Sequence, residues 1–401
     1  MRTTLSNRLR RLGPGLITAA LIFGPGSLTI TTKLGAGFGN QHLWVILLAA
    51  IFMIAYTRLT TRIGLASEVS LLETIRQRYG RWAAILIGLF IFIITASFQT
   101  GNSVGAGVAF SELTGTPLAP WVLLFCGIAI GLLFFRSFYK ILERIMIAMV
   151  LLMLLSFFIT LLLSRPDPLQ VLSGLIPSLP AGSTLLSIAL FASSFSLAAA
   201  FYQAYLVSEK GWQREDLKTA VGESREGIII LALLSSMILI CAAAVLHRQG
   251  LSVNTASDLG LALEPLFGKS ATYAFMTGFF AASFSSLIGN ATIGGAMLAD
   301  AFSQGKDLRS GTVRGFIVSV IVIGGGIAIY FGGFPLQLII FAQAFTIIFA
   351  PIAAVFILLI ANNRSIMGNL INDTAGNILP LIALVVTLFL AVYHILTSIL
   401  L

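Results

Sequence analysis

Residues 23–27 read Phe23-Gly24-Pro25-Gly26-Ser27, in the middle of an apolar run that spans about residues 13–34. Pro25 has no N–H to donate, and the flanking glycines permit unwinding. Within a bilayer such a stretch is tolerated only where the freed backbone groups find partners or line a cavity. A packing kink is the competing reading, but four consecutive poor helix formers exceed what a kink requires. The stretch therefore predicts a helix broken at mid-depth.

The rest of the chain places this break in a membrane. Of 401 residues, 58% are apolar and 10% are charged, against about 25% charge in soluble domains. Apolar runs separated by charged or turn-rich breaks predict an all-α integral membrane protein of about eleven spans. They lie near 13–34, 42–60, 82–112, 118–135, 138–163, 183–208, 227–246, 270–302, 312–331, 335–360 and 377–400. Cys126 and Cys241 both sit in apolar runs, so there is neither a disulfide framework nor paired metal-ligand spacing. The net charge of +9 comes from basic residues at span ends, a pattern that orients a membrane protein and needs no nucleic acid. Twenty Lys and Arg fall on one side, and four (Lys33, Arg165, Arg248, Lys269) on the other. This predicts the plasma membrane, N-terminus inside and C-terminus outside. The first span has a basic start but no small-residue cleavage site, so it does not read as a signal peptide.

If the chain is two five-span halves (1–163 and 183–360) with an extra span at 377–401, span 6 corresponds to span 1. It carries Ser193-Ser194-Phe195-Ser196 and then Ala198-Ala199-Ala200. Interrupted spans at matching places point to an inverted-repeat transporter with a midplane site. Spans 3 and 8 echo each other more weakly, through Gly101-Asn102-Ser103-Val104-Gly105 and Gly289-Asn290-Ala291-Thr292-Ile293-Gly294. Small residues at that density also serve close helix packing.

The order of several motifs resembles the NRAMP family of proton-coupled divalent-metal transporters, with its LeuT-type inverted repeat. The resemblance runs from about Gly13 to Asn372. It is carried by Gly13-Pro14-Gly15, Leu34-Gly35-Ala36 with Leu43-Trp44, and Arg62-Ile63-Gly64. Leu336-Gln337-Leu338 with Gln343 and Pro351, and Asn363-Arg364-Ser365-Ile366-Met367-Gly368, continue it. The family's functional positions are replaced. Its span-1 Asp-Pro-Gly-Asn, which supplies metal ligands, reads Gly24-Pro25-Gly26-Ser27. Its span-6 Met-Pro-His, aligned through Tyr205-Leu206, reads Ala200-Phe201-Tyr202. Its acidic pair in span 3 falls on Gln99 and Asn102, and a span-8 Gln falls on Phe284 beside Ser285-Ser286.

The residues lead to the same point without the family. All fifteen acids, and His42, His247 and His394, lie in loops or within about a turn or two of a span end. Intramembrane ionisable groups mark ion paths and proton relays, and a bare transition metal wants carboxylate, imidazole or sulfur. What remains is backbone and neutral side chains: Gly24, Pro25, Gly26 and Ser27, then Ala200, Tyr202, Gln203, Gln99, Asn102 and Asn290. Each amide has interhelical hydrogen bonding as its alternative role. Ser285 and Ser286, facing unwound carbonyls of span 1, would resemble the sodium site of LeuT-type transporters, or be backbone-bonded serines. No metal site and no cofactor are expected.

The expectation is a secondary transporter working by alternating access. A half-helix N-terminus favours an anion, so a small carboxylate or other polar solute is favoured over Mn²⁺ or Fe²⁺. The alternative is a divalent cation, partly hydrated in the manner of Mg²⁺. An intramembrane protease and an ATP-driven pump lack their motifs; the partners expected are a small solute or ion and the lipid bilayer.

Overall fold

The computed structural model describes residues 14–135, 138–253, 257–331 and 336–400. The basic residues Arg2, Arg8, Arg10, Arg11 and Arg136, counted above toward the orientation, lie outside them.

The apolar runs become helices because a backbone in lipid must satisfy its own hydrogen bonds. Span 1 is two half-helices, α1 (Pro14–Ile22) and α2 (Pro25–Phe38), bent by 63° at the break. Then come α3 (Leu43–Ala66), a short α4 (Leu71–Tyr79), α5 (Arg81–Thr114), α6 (Leu118–Leu133), α7 (Phe138–Ser164) and the short α8 (Pro168–Ser173). Span 6 is α9 (Thr184–Ser194) and α10 (Leu197–Lys210), interrupted at Phe195–Ser196. After it come α11 (Leu217–Val245), α12 (Ser257–Phe267), α13 (Lys269–Ala301), α14 (Gly311–Phe331), α15 (Leu336–Ala361), α16 (Arg364–Met367) and α17 (Thr374–Leu400). Among the described residues, eight helices are long and apolar enough to cross a membrane, and two bent pairs qualify jointly. Each of the eleven expected runs holds one of these ten or the shorter α6.

Helical boundaries overrun the apolar ones. Span 2 was expected to end near residue 60 and span 7 to begin near 227, yet α3 continues to Ala66 and α11 starts at Leu217. Backbone hydrogen bonding does not stop where side chains turn polar. The expected loop 61–81 likewise contains α4, whose Ser70 cap accepts the Glu73 N–H at 3.0 Å. Leu71, Leu72 and Ile75 bury one face of it.

Packing sets the two breaks side by side. The half-helices α1 and α10 contact each other, as do α2 and α9, while α11 runs against α1, α2 and α3. The α1–α11 crossing is close enough to exclude side chains, since a Cβ on Gly227 would lie 1.9 Å from the Gly15 carbonyl oxygen. Helices α5 and α13, the pair carrying the sequence echo, pack along their length and hold the other side of the breaks.

Candidate functional site

The break in span 1 is shorter than its sequence suggests. Gly24 is extended (φ −113°, ψ −179°), and Pro25 is the first residue of α2, where a missing N–H costs nothing. Gly26 and Ser27 are therefore helical, and only Phe23–Gly24 is unwound. The Gly24 N–H donates to the Ile22 carbonyl at 3.0 Å, which removes it as an anion donor. The last carbonyls of α1 are covered by side chains. Ser285 and Ser286 donate to Ala20 O at 3.3 and 3.2 Å, and the Asn290 amide donates to Leu21 O at 3.3 Å. The two serines thus tie α13 to α1, and their hydroxyl hydrogens occupy carbonyls that a sodium ion would need.

The second break is closed from its own side chains. The Ser196 hydroxyl accepts the Ala199 N–H at 3.4 Å and caps α10, and Ser193 donates to the Leu190 carbonyl at 2.9 Å. Between the breaks lies a small cavity of about 30 Å³.

Of the expected site residues, Gly24, Gly26, Ser27, Asn102 and Asn290 line this cavity. Pro25 is buried behind it, and Gln99 sits behind Asn102, donating through Nε2 to Leu287 O at 2.8 Å. Ala200, Tyr202 and Gln203 are not in the lining. In α10 the cavity-facing position is Ala199; the helical step of about 100° per residue turns Ala200 away, while Gln203 lies one turn further along the same face, beyond the cavity. Gln203 instead accepts the Thr18 hydroxyl at 2.5 Å and donates to Thr61 at 3.4 Å, joining α10 to α1 and α3. Tyr202 stacks on Tyr205 with ring centroids 6.0 Å apart. The cavity also takes Ser193, Ser196, Phe98 and Ile293, which were not expected in it. The two serines were legible in the hydroxyl-rich break; Phe98 and Ile293 lie one turn from Asn102 and Asn290 on the same helix faces.

Most side-chain hydroxyls and amides of this neutral lining have a donor engaged with the fold. The hydroxyls of Ser27 and Ser193 donate to the carbonyls of Ile22 and Leu190, so their lone pairs are what they offer elsewhere. Asn290 has its amide nitrogen on a backbone carbonyl, and Asn102 donates to Ser286 O at 3.2 Å. Ser196 is the exception, with its oxygen on the Ala199 N–H, and Gly26 and Ser27 stand in the first turn of α2, whose N–H groups have no carbonyl within the helix to bond. Among the described residues no cluster of His, Cys, Asp or Glu has the makings of a metal site.

Charge gathers instead where α4, α10 and α13 meet at one end of the bundle. Tyr205 donates to the Asp300 carboxylate and accepts the Leu72 N–H at 3.4 Å. Arg76 donates to the Asp300 carbonyl and to Glu73, with the Asp300 carboxylate 3.9 Å away. Lys210 of α10 pairs with Glu143 of α7.

Known proteins share this architecture. A family model described as natural resistance-associated macrophage protein-like (Nramp) matches residues 15–397. A divalent metal cation transporter MntH of Chromohalobacter salexigens is 30% identical over 391 residues, covering 92% of this chain and 88% of that protein. The MntH of Yersinia enterocolitica is 25% identical, covering 98% of this chain and 96% of its own length. A crystal structure of the Eremococcus coleocola manganese transporter, in complex with an aromatic bis-isothiourea substituted compound, superposes with a TM-score of 0.78 at 18% identity. It covers 98% of this chain and 88% of that one. MhsT in complex with L-phenylalanine matches with a TM-score of 0.64 at 16% identity, covering 94% of this chain and 98% of its own. These matches give the LeuT-type fold. They also overturn the expected carboxylate or other non-metal solute, because the relatives named for a substrate across nearly the whole chain are divalent metal cation transporters. The anion expectation counted the Gly24 N–H among its donors, and that group is engaged with the Ile22 carbonyl. The chain is an integral membrane transporter, not an enzyme, and it belongs to the Nramp family.

Proposed function

We propose that this protein carries a divalent metal cation across the plasma membrane by alternating access about the two breaks. One observation carries the reading: a neutral cavity in which Ser27, Ser193 and Asn102 have their donors engaged with the fold and so present oxygen acceptors. Such a site attracts a cation and repels an anion. With neutral oxygens alone it does not repay full dehydration of a dication, so the ion keeps part of its water, as Mg²⁺ does most readily. The relatives' name of divalent metal cation transporter agrees with this class. The substrate site is then Gly24, Gly26, Ser27, Asn102 and Asn290, with Ser193 and Ser196 from the second break. Residues 1–163 and 183–360 form the two repeats and 377–401 an added span, with the N-terminus inside.

Purified protein in liposomes should take up Mg²⁺ and Mn²⁺ saturably, with KM on the order of 1 mM, the range of weak oxygen-ligated sites. The cavity lining holds no titratable group, so the flux should not follow an imposed pH step. Uptake of neither ion above that of empty liposomes would overturn the reading.

A further inference from the structure

Two backbone carbonyls of α13 decide which way an amide in the cavity wall points. Gln99 Nε2 lies 2.8 Å from Leu287 O; a carbonyl only accepts, so the nitrogen end of Gln99 must face it. Its Oε1 then faces along α5 and accepts from Asn102 Nδ2 at 3.3 Å. The same Nδ2 donates to Ser286 O at 3.2 Å. Both hydrogens of the Asn102 amide are therefore held, and turning the amide over would set its oxygen against two acceptors. Oδ1 is left toward the break, where a Cβ on Gly24 would lie 3.0 Å from it. The stem of Gln99 is fixed in turn: it is fully buried, and bare Gly324 of α14 lies so close that a Cβ there would sit 2.5 Å from it.

We infer that Gln99 is a positioning residue for cation selectivity, which never meets the substrate but keeps the carbonyl oxygen of Asn102, not its amino group, turned toward the ion. The inference rests on the divalent-cation reading above. A freely turning asparagine offers an oxygen and an NH₂ alternately; the relay from Leu287 through Gln99 removes the second choice.

The test is a double-mutant cycle on the full-length protein in liposomes, with Mg²⁺ and Mn²⁺ uptake as the probes. Asn102→Leu removes the ligand oxygen and should raise KM about tenfold, the worth of a strong neutral hydrogen-bond-type contact. Gln99→Met keeps the length of the side chain but frees Asn102. It should raise KM about threefold, with the change falling on KM more than on the saturated rate. In the Asn102→Leu background Gln99→Met should add nothing further, because the residue it acts through is gone. Gly324→Ala, which crowds the Gln99 stem from α14, is a second route to the same disturbance and should show the same non-additivity. A KM change from Gln99→Met of equal size in both backgrounds, or in neither, overturns the inference. Absence of divalent uptake by the unaltered protein overturns the function reading instead.

Discussion

At the Phe23–Gly24 break every polar group lining the cavity is neutral, whereas one half-helix away Tyr205, Asp300 and Arg76 join α10, α13 and α4 through a buried carboxylate and a guanidinium. Both regions involve the same elements, since α10 follows the second break and α13 walls the cavity. They differ in what their polar groups face. In the cavity the donors of Ser27, Ser193 and Asn102 are turned into the fold, which leaves their oxygens for the cation proposed above. At the charged cluster donors and acceptors meet each other, with Arg76 Nε the exception. On the proposed reading formal charge does not locate the substrate: charge serves as a clasp between helices, and binding is left to neutral oxygens.

The comparison breaks most visibly at the clasp. Arg76→Ala leaves the Asp300 carboxylate, on a residue only 4% exposed, without its guanidinium, and removing one partner of a buried pair costs about 3 kcal/mol. Thermal unfolding in detergent should shift down accordingly, while KM for Mg²⁺ should change little. A large KM change with unaltered stability would make Arg76 part of the ion path.

His42 offers the counter-case, a titratable group outside the spans with no counter-charge. It precedes α3, is fully buried, and neither ring nitrogen has a hydrogen-bond partner among the described residues. Burial pushes it down to about 4. The unfolded chain, titrating near 6.5, binds the proton more readily across that window, so stability is complete above about pH 6.5 and falls as the pH drops toward 4. Between pH 7 and 5 the loss should be about 2 kcal/mol. His42→Phe should flatten this slope; an unchanged slope would assign the acid sensitivity elsewhere.

At the cavity, Asn290→Asp sharpens the contrast by adding at one point the charge the site lacks. A carboxylate close to the dication outweighs the lost bond to Leu21 O, and KM for Mn²⁺ should fall by about tenfold or more. The gain should vanish in acid as the new carboxyl protonates. An unchanged KM would place the ion away from Asn290. The smallest effect belongs to Ser196→Ala, which removes the cap of α10 and should cost about 1 kcal/mol, read as a shift in unfolding temperature of a few degrees.

Much of the fold was legible in the residues. Length of apolar run and charge at its ends are local properties, so the eleven spans and the break at Gly24 follow from composition and the missing N–H of Pro25. The neutrality of the site was equally legible, because no acid or histidine lies mid-span. Gly24, Gly26, Ser27, Asn102 and Asn290, expected together from the residues, line the cavity between the breaks, and Ser193 and Ser196 stood in a stretch already marked as unusual. Tertiary structure decided what a neutral site attracts. Whether Asn102 offers oxygen or nitrogen depends on carbonyls of Ser286 and Leu287, more than 180 residues away. Whether Gly24 offers its N–H depends on the Ile22 carbonyl and the tightness of the bend. Whether Gln203 reaches the cavity or bridges helices depends on Thr18 and Thr61, which engage both ends of its amide. An amide or hydroxyl carries both donor and acceptor, so its sign toward a ligand is set by the partner that engages its other end. That partner is chosen by folding.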